Sequence, residues 1–377
     1  MKFNTVKLGE YLYIKGRIGW KGLKKKEYLE KSDFRIINGE SLTENGIDWN
    51  KAGYISKERY DESPEIMLQP DDILISKDGT IGKIGYVGQL DTPTTVASGI
   101  FVIRNQKPEI INTRFIYHFF CSKYFKNFIT MRTEGSVIPH LYQKDFVDLD
   151  FPLPELSVQN KIVGILDAIC NKIDLNKSIN ENLQQQIETI FNNKYAPSLR
   201  CANWTVGTIG DVVTLQRGYD LPKDKMVLGA YPVAGSTDTI FYHNDYTTEA
   251  PCVVMGRSGN IGKPRLYMER CWAHNTTLFV KDFKESNPYW SYYMLRTIDY
   301  SQFQGGSAVP TLNRNHVHSY EIAIPPVDQQ NEFAELIYPL LLLIENNRSE
   351  LKSLTELRDK ILPQLMSGEL NVFALNI

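Results

Sequence analysis

Two short glycine loops carry the residues with the clearest chemical potential: Asp78-Gly-Thr-Ile-Gly-Lys83 and Ser258-Gly-Asn-Ile-Gly-Lys263. Each ends on a lysine behind a glycine, as a phosphate-binding loop does. Such a loop also needs a glycine five residues before Gly82 or Gly262, where Lys77 and Arg257 stand. It needs Ser or Thr after the lysine, where Ile84 and Pro264 stand. Nucleotide binding is therefore disfavoured, and a tight turn between strands is the simple alternative. A turn of that kind presents Lys77, Asp78 and Thr80, or Arg257, Ser258 and Asn260, to a nucleic acid.

A second pair of segments has the same flavour. Gly135-Ser-Val-Ile-Pro-His-Leu-Tyr-Gln-Lys144 and Gly306-Ser-Ala-Val-Pro-Thr-Leu-Asn-Arg-Asn315 each begin with a turn signal. Backbone N–H groups with Ser136 or Ser307 suit phosphate oxygens. His140, Gln143 and Lys144 in one, and Thr311, Asn313, Arg314 and Asn315 in the other, extend that reach. Asn, Gln and Arg are the side chains that make bidentate contacts with base edges. The plain reading is a turn that starts the strand leading into a helix. Near the amino terminus, the stretch from Lys15 to Lys26 sets six basic groups, Arg17 and Lys21 among them, around Trp20. Basic groups with an interleaved aromatic suit a phosphate backbone, against the bland reading of a solubilising loop. Arg217 and Tyr219 occupy the corresponding place later in the chain.

Catalytic readings fare poorly. Asn287-Pro-Tyr-Trp290 resembles the Asn-Pro-Pro-aromatic motif of amino-methyltransferases but lacks its second proline, and no glycine-rich cofactor loop accompanies it. A helix start at Pro288 explains it better. His316 and His318 alternate along a predicted strand, and no cysteine or acidic cluster completes a metal set around them. No metal and no cofactor are expected.

The elements that position these residues come in two copies. Gly135 matches Gly306, Pro139 matches Pro310, Leu141 matches Leu312, Pro154 matches Pro325 and Gln159 matches Gln330, all at an offset of 171 residues. The glycine loops repeat at an offset of 180, and Leu8-Gly-Glu10 is echoed by Ile209-Gly-Asp211. So long a period means a duplicated module rather than a solenoid. Within the modules, Ile73–Ser76, Lys83–Val87, Gly99–Arg104, Cys252–Met255 and Thr277–Lys281 read as strands. One amphipathic helix is predicted over Thr113–Thr130, with Phe115, Phe119 and Phe120 on its apolar face.

Each module runs into a heptad pattern. The first seam is Ile162, Leu166, Ile169, Ile173, Asn176, Asn180, Leu183, Ile187 and Ile190. The second is Phe333, Ile337, Leu340, Ile344, Asn347, Leu351, Leu354, Arg358, Ile361 and Leu365. These are coiled-coil helices of roughly 35–40 residues, and Pro339 should interrupt and kink the second. Asn176 and Asn347 match at the offset of 171, and a seam asparagine fixes register at some cost in stability. The expected fold is α+β. Two similar β-rich domains, residues 1–152 and 201–324, are separated by two long antiparallel coiled-coil helices within 153–200 and 325–377, a pseudo-two-fold internal repeat.

The whole chain has 377 residues and a net charge of −2, which looks unpromising for a nucleic-acid partner. Its distribution matters more. Residues 1–150 hold 22 basic and 20 acidic groups and residues 201–324 hold 11 of each, so the acidic excess sits in the connecting segments. Five scattered cysteines without a C-x-x-C pair, no secretory signal and no membrane-length apolar run point to a cytoplasmic protein without membrane contact.

The order globular, long helix, globular, long helix resembles the specificity subunit of Type I restriction-modification enzymes. The resemblance is carried by the paired Gly-Ser-x-x-Pro-x-Leu segments with their Gln-Asn and long helix, by the glycine loops, and by the ending Leu357-Arg-Asp-Lys-Ile-Leu-Pro-Gln-Leu-Met-Ser-Gly-Glu-Leu370. It implies two target-recognition domains, each reading half of a split asymmetric site in double-stranded DNA. It also implies helices that space the domains and dock two methyltransferase subunits, restriction (helicase-nuclease) subunits joining outside, and no catalytic residues in the chain itself. The rival readings are a coiled-coil scaffold whose globular ends bind protein, and a stand-alone DNA methyltransferase.

Overall fold

A computed structural model of the chain describes residues 3–18, 22–133, 140–199, 201–303 and 311–374. In the first copy the strands are β1 (Asn4–Lys7), β2 (Leu12–Gly16), β3 (Phe34–Ile37), β4 (Leu42–Thr43), β5 (Gly46–Ile47), β6 (Gly53–Ile55), β7 (Ile73–Ser76), β8 (Ile84–Tyr86), β9 (Thr94–Val96), β10 (Ile100–Asn105) and β11 (Asp150–Leu153). Its helices are α1 (Lys57–Asp61), α2 (Thr113–Cys121) and α3 (Lys123–Thr133), followed by the long α4 (Leu156–Lys194). The second copy has β12 (Thr205–Thr208), α5 (Ile209–Val212), β13 (Thr214–Arg217), β14 (Leu228–Ala234), β15 (Thr239–His243), β16 (Cys252–Gly256), β17 (Gly262–Tyr267), β18 (Trp272–Ala273) and β19 (Thr277–Asp282). It continues through α6 (Pro288–Arg296), α7 (Arg314–His318) and β20 (Glu321–Ile324) into the long α8 (Val327–Ser367).

The sheets repeat strand for strand. A four-stranded antiparallel sheet has the order β2-β10-β7-β8 in one copy and β13-β19-β16-β17 in the other. A three-stranded sheet has the order β6-β3-β9, with β3 and β9 parallel, and β15-β14-β18, with β14 and β18 parallel. The pairs β1-β11 and β12-β20 close each domain at the foot of its long helix. The β4-β5 hairpin belongs to the first copy alone among the described residues.

The weak echo of Leu8-Gly-Glu10 in Ile209-Gly-Asp211 has a packing cause. Leu8 N–H donates to Leu149 O and Ile209 N–H donates to Tyr320 O, each at 2.9 Å. The next residue then lies against backbone: a Cβ on Gly9 would meet Val147 Cα at 2.5 Å, and one on Gly210 would meet His318 O at 3.2 Å.

The predicted single helix over 113–130 is two helices. Ser122 is extended, so it ends α2, and its hydroxyl accepts from Phe125 N–H at 3.3 Å to start the next turn. The break folds Phe125 and Phe128 back onto the same core as Phe115, Phe119 and Phe120. His316 and His318 are helical rather than strand residues. The Asn313 side chain accepts from Asn315 N–H at 2.9 Å and caps a one-turn helix.

The repeated Gln-Asn dipeptides join each domain to its helix. Gln159, fully buried, accepts from Asn112 N–H at 2.8 Å and donates to Pro154 O and Ile110 O at 2.8 and 3.0 Å. Gln330 accepts from Asn287 N–H at 2.9 Å and donates to Pro325 O at 3.0 Å. Beside them Asn160 and Asn331 accept from the side chains of Asn112 and Asn287, the residues that cap α2 and α6. Replacing Gln330 by Leu strands these buried groups and should cost about 1–3 kcal/mol. Thermal melting of the whole chain reads this; a variant as stable as the parent would show that the clamp is dispensable.

Two compact units result, residues 1–174 with 352–377 and residues 175–351, so both long helices contribute to both. In the first, Ile162 and Leu166 of α4 share a core with Leu362, Leu365 and Met366 of α8. In the second, Leu183, Ile187 and Phe191 share a core with Phe333, Ile337, Leu341 and Ile344. Lys194 meets Glu332 at 2.6 Å and Asn176 donates to Glu350 at 2.7 Å, so the helices run antiparallel. Pro339 does not interrupt α8, which is continuous from Val327 to Ser367. The two seam asparagines do not pair with each other: Asn347 donates to Asn180 at 2.9 Å, while Asn176 is the more deeply buried.

In the first unit, α2 is also tied to α4 electrostatically. Asp167 receives Arg114 at 2.6 Å and His118 Nε2 lies 2.7 Å away. Burial pushes the Asp167 carboxyl up, but the bonds from His118 and Arg114 outweigh it and hold it below the ordinary range. Burial lowers the His118 pKa more than Asp167 raises it.

Candidate nucleic-acid interface

Both glycine loops are tight turns between neighbouring antiparallel strands, β7-β8 and β16-β17. Gly79 and Gly82 have φ of 66° and 87°, and Gly259 and Gly262 have φ of 76° and 72°, the left-handed region that glycine adopts without a Cβ penalty. Within the first turn Ser76 Oγ donates to Thr80 O at 2.6 Å and accepts from Lys83 N–H at 2.9 Å. A Cβ on Gly82 or Gly262 would press on Ile129 or on the Tyr300 ring, which explains why both copies keep the second glycine.

The fold then brings the two repeated motifs together. Leu141 N–H donates to Lys77 O at 3.1 Å, and Leu312 N–H donates to Arg257 O at 2.8 Å. The same junction is thus built twice from positions matched at offsets of 180 and 171. Beyond it the chain turns once and anchors through Phe146 or Val317, both fully buried. That leaves Gln143 and Lys144, or Asn313, Arg314 and Asn315, exposed. His318, on the inner side of its turn, accepts from Leu215 N–H at 2.8 Å. Burial, with Arg314 and Lys284 adding to it, lowers its pKa and keeps it a neutral acceptor.

The amino-terminal ends of β10 and β19 complete the cluster. Lys77 N–H donates to Gly99 O at 2.8 Å and Arg257 N–H donates to Thr276 O at 2.9 Å. On the other side of that segment Gly218 N–H donates to Thr277 O at 3.0 Å, placing the exposed Arg217 and Tyr219 next to the turn. Arg217 Nε is 3.4 Å from Asn275 O, and the Tyr219 hydroxyl accepts from Gln216 at 2.8 Å. One end of each four-stranded sheet therefore gathers Lys77, Asp78, Thr80 and His140, or Arg217, Tyr219, Arg257, Ser258, Asn260 and Thr311.

Arg17 does not belong to this surface. Its guanidinium is buried, donating to Val96 O at 3.0 Å with Ser63 Oγ and Thr95 Oγ1 at 3.4 Å. It braces the three-stranded sheet from inside, and burial together with Arg59 lowers its pKa. A basic run in sequence does not reveal which of its members turns inward. Lys77 is only partly accessible, its ammonium 5.4 Å from the Phe101 ring centroid and 3.5 Å from Asp78. Trp20, Lys21, Ser136 and Ser307 lie outside the described residues. The residues that sequence reasoning passed over are Gly99 and Thr276, whose carbonyls seat the turns; nothing but their position marks them.

Asn287-Pro-Tyr-Trp290 is a helix start. The Asn287 side chain accepts from Tyr289 N–H at 3.0 Å, Pro288 takes the first helical position, and the buried Trp290 donates to Tyr195 O at 2.9 Å. Among the described residues no group of three or more His, Cys, Asp or Glu could hold a metal, and no helix is long and apolar enough to cross a membrane.

Residues 2–185 and 202–356 match the family described as the Type I restriction modification DNA specificity domain. The chain belongs to that family. Its members are specificity components rather than catalytic ones. The chain is similar to the Type I restriction enzyme MjaIX specificity subunit of Methanocaldococcus jannaschii, 22% identical over 338 residues, covering 77% of this chain and 76% of the relative. The putative MjaX specificity subunit of the same organism is 22% identical over 399 residues, covering 93% and 90%. The crystal structure of the Type I restriction-modification S subunit from M. genitalium superposes with a TM-score of 0.63 at 14% identity, covering 97% of this chain and 96% of that one, a likeness of fold.

Proposed function

We propose that the chain is the DNA-recognition subunit of a Type I restriction-modification complex, each domain reading one half of a bipartite site in double-stranded DNA. The observation that supports this is the doubled loop cluster: one scaffold built twice with different side chains at its tip. Equal scaffolds give equal docking on the duplex, through phosphate contacts that fix position. Unequal tips give an asymmetric site, since base edges are distinguished by the donors and acceptors set against them. Thr80, Gln143, Lys144, Asn260, Asn313, Arg314 and Asn315 are exposed or half-exposed and chemically suited to this. Two methyltransferase subunits, held by the long helices, would act on adenines in the two halves, and restriction subunits would join the assembly outside them.

The test is labelled-methyl transfer to a DNA library by the chain alone, by the methyltransferase subunits alone, and by the reconstituted complex. The complex alone should modify a single split sequence. Transfer by the isolated chain, or the same modified sequence without it, would overturn the reading.

A further inference from the structure

The junction between the turn and the segment after it differs in chemistry between the copies. Asp78 and His140 flank the Leu141–Lys77 hydrogen bond, and Ser258 and Thr311 flank the Leu312–Arg257 one. In the first copy His140 Nδ1 bonds Asp78 Oδ1 directly, and Lys77 Nζ stands 3.5 Å from the other carboxylate oxygen. In the second copy Ser258 and Thr311 face each other as an antiparallel bridge. These are the same two positions, occupied by a hydrogen-bonded carboxylate and imidazole in one domain and by two hydroxyls in the other.

A carboxylate among residues meant for DNA is costly, because phosphates repel it. Here the Lys77 ammonium offsets its charge and His140 hydrogen-bonds it, yet the Asp78 side chain remains 44% exposed. An ionised carboxylate only accepts hydrogen bonds. In the major groove the donors are the amino groups of cytosine and adenine, whereas guanine O6 and thymine O4 would set lone pairs against it. Serine and threonine hydroxyls both donate and accept, so they tolerate either kind of edge.

Resting on the DNA-recognition reading above, we propose that Asp78 determines one base of the first half-site. It requires an amino-bearing base, cytosine or adenine, at the position it faces. His140 is a positioning residue that holds the carboxylate toward the groove. Ser258 and Thr311 leave the equivalent position of the second half-site permissive. A difference in recognition between the two domains then rests on four side chains of an otherwise shared backbone junction.

The test exchanges the pairs in the intact complex with its methyltransferase subunits and reads the modified sequences from a randomised DNA library. In the D78S/H140T variant, preference at one position of the first half-site should fall by at least about fivefold, the equivalent of about 1 kcal/mol. Guanine or thymine should enter there while the second half-site stays unchanged. The reciprocal S258D/T311H variant should narrow one position of the second half-site to cytosine or adenine. H140N, which keeps Asp78, should weaken the preference at the same position and at no other. A D78S/H140T complex that melts like the parent and keeps full selectivity everywhere overturns the proposal. If that variant does not fold, the reciprocal exchange decides, and no narrowing overturns it. A separate outcome, in which the modified sequence is the same when the chain is left out, overturns the DNA-recognition reading itself.

Discussion

Replacing residues 201–324 by the corresponding segment of another family member is expected to change one half of the modified DNA sequence and leave the other half as it was. The second domain makes its turn, its neighbouring strands and its one-turn helix entirely from its own residues. The first domain does the same among its described residues. Each mismatched base pair typically costs about 1–3 kcal/mol. A half-site with three or four altered pairs should therefore lose preference on the order of a thousandfold or more. The incoming segment must preserve three joints: an Asn at the position of Asn287, whose backbone N–H donates to Gln330 and whose side chain donates to Asn331, a Trp at Trp290 for Tyr195 O, and an aromatic at Tyr293 against Phe191 and Phe333. A chimera that keeps these joints and melts normally, yet reads a new sequence in both halves, would rule out independent recognition.

Much of this architecture was legible because duplication turns a weak signal into a constraint. A single Gly-x-Ile-Gly-Lys says little, but two copies flanked by matched segments require one scaffold twice. The strands over 73–76, 100–105, 252–256 and 277–282 and the start of α6 at Pro288 follow from β-branched runs and capping residues. The seams of the long helices are buried at Ile162, Leu166, Ile173, Leu183 and Ile187, and at Phe333, Ile337, Ile344 and Leu365.

What stayed hidden depends on tertiary partners. Ser122 ends one helix and starts another because aromatic burial favours the fold-back, and no local preference announces that. Arg17 sits in a basic run, but Val96, Thr95 and Ser63 supply acceptors inside the domain. The alternation of His316 and His318 looks like a strand until Asn313 caps a helical turn in front of them. The glycine turns and the segments after them are tens of residues apart, and only the sheet places them side by side.

The proposed role of the long helices as a spacer makes a second strong expectation. An insertion in one helix alone, near Leu183, would displace Ile187 and Phe191 from Phe333 and Ile337 and damage the core of the second unit. The compatible change is a matched insertion in both helices where the chain passes from one compact unit to the other, between Asp174 and Leu175 and between Leu351 and Lys352. Seven residues keep the heptad phase and add about 10 Å of helix. At about 3.4 Å per base pair this should lengthen the non-specific spacer by about 3 base pairs while both half-sites stay the same. Asn176 and Glu350, and Asn180 and Asn347, lie on the same side of the insertion and keep their bonds, so register within the second unit is preserved. Replacing Asn176 by Leu in the same protein removes the buried polar partner of Glu350 and should loosen that register, so that more than one spacer length is modified. The reading is methylation of a library in which the spacer is varied one base pair at a time. Full-rate modification of only the parental spacer by the seven-residue variant would mean that the helices do not set the distance.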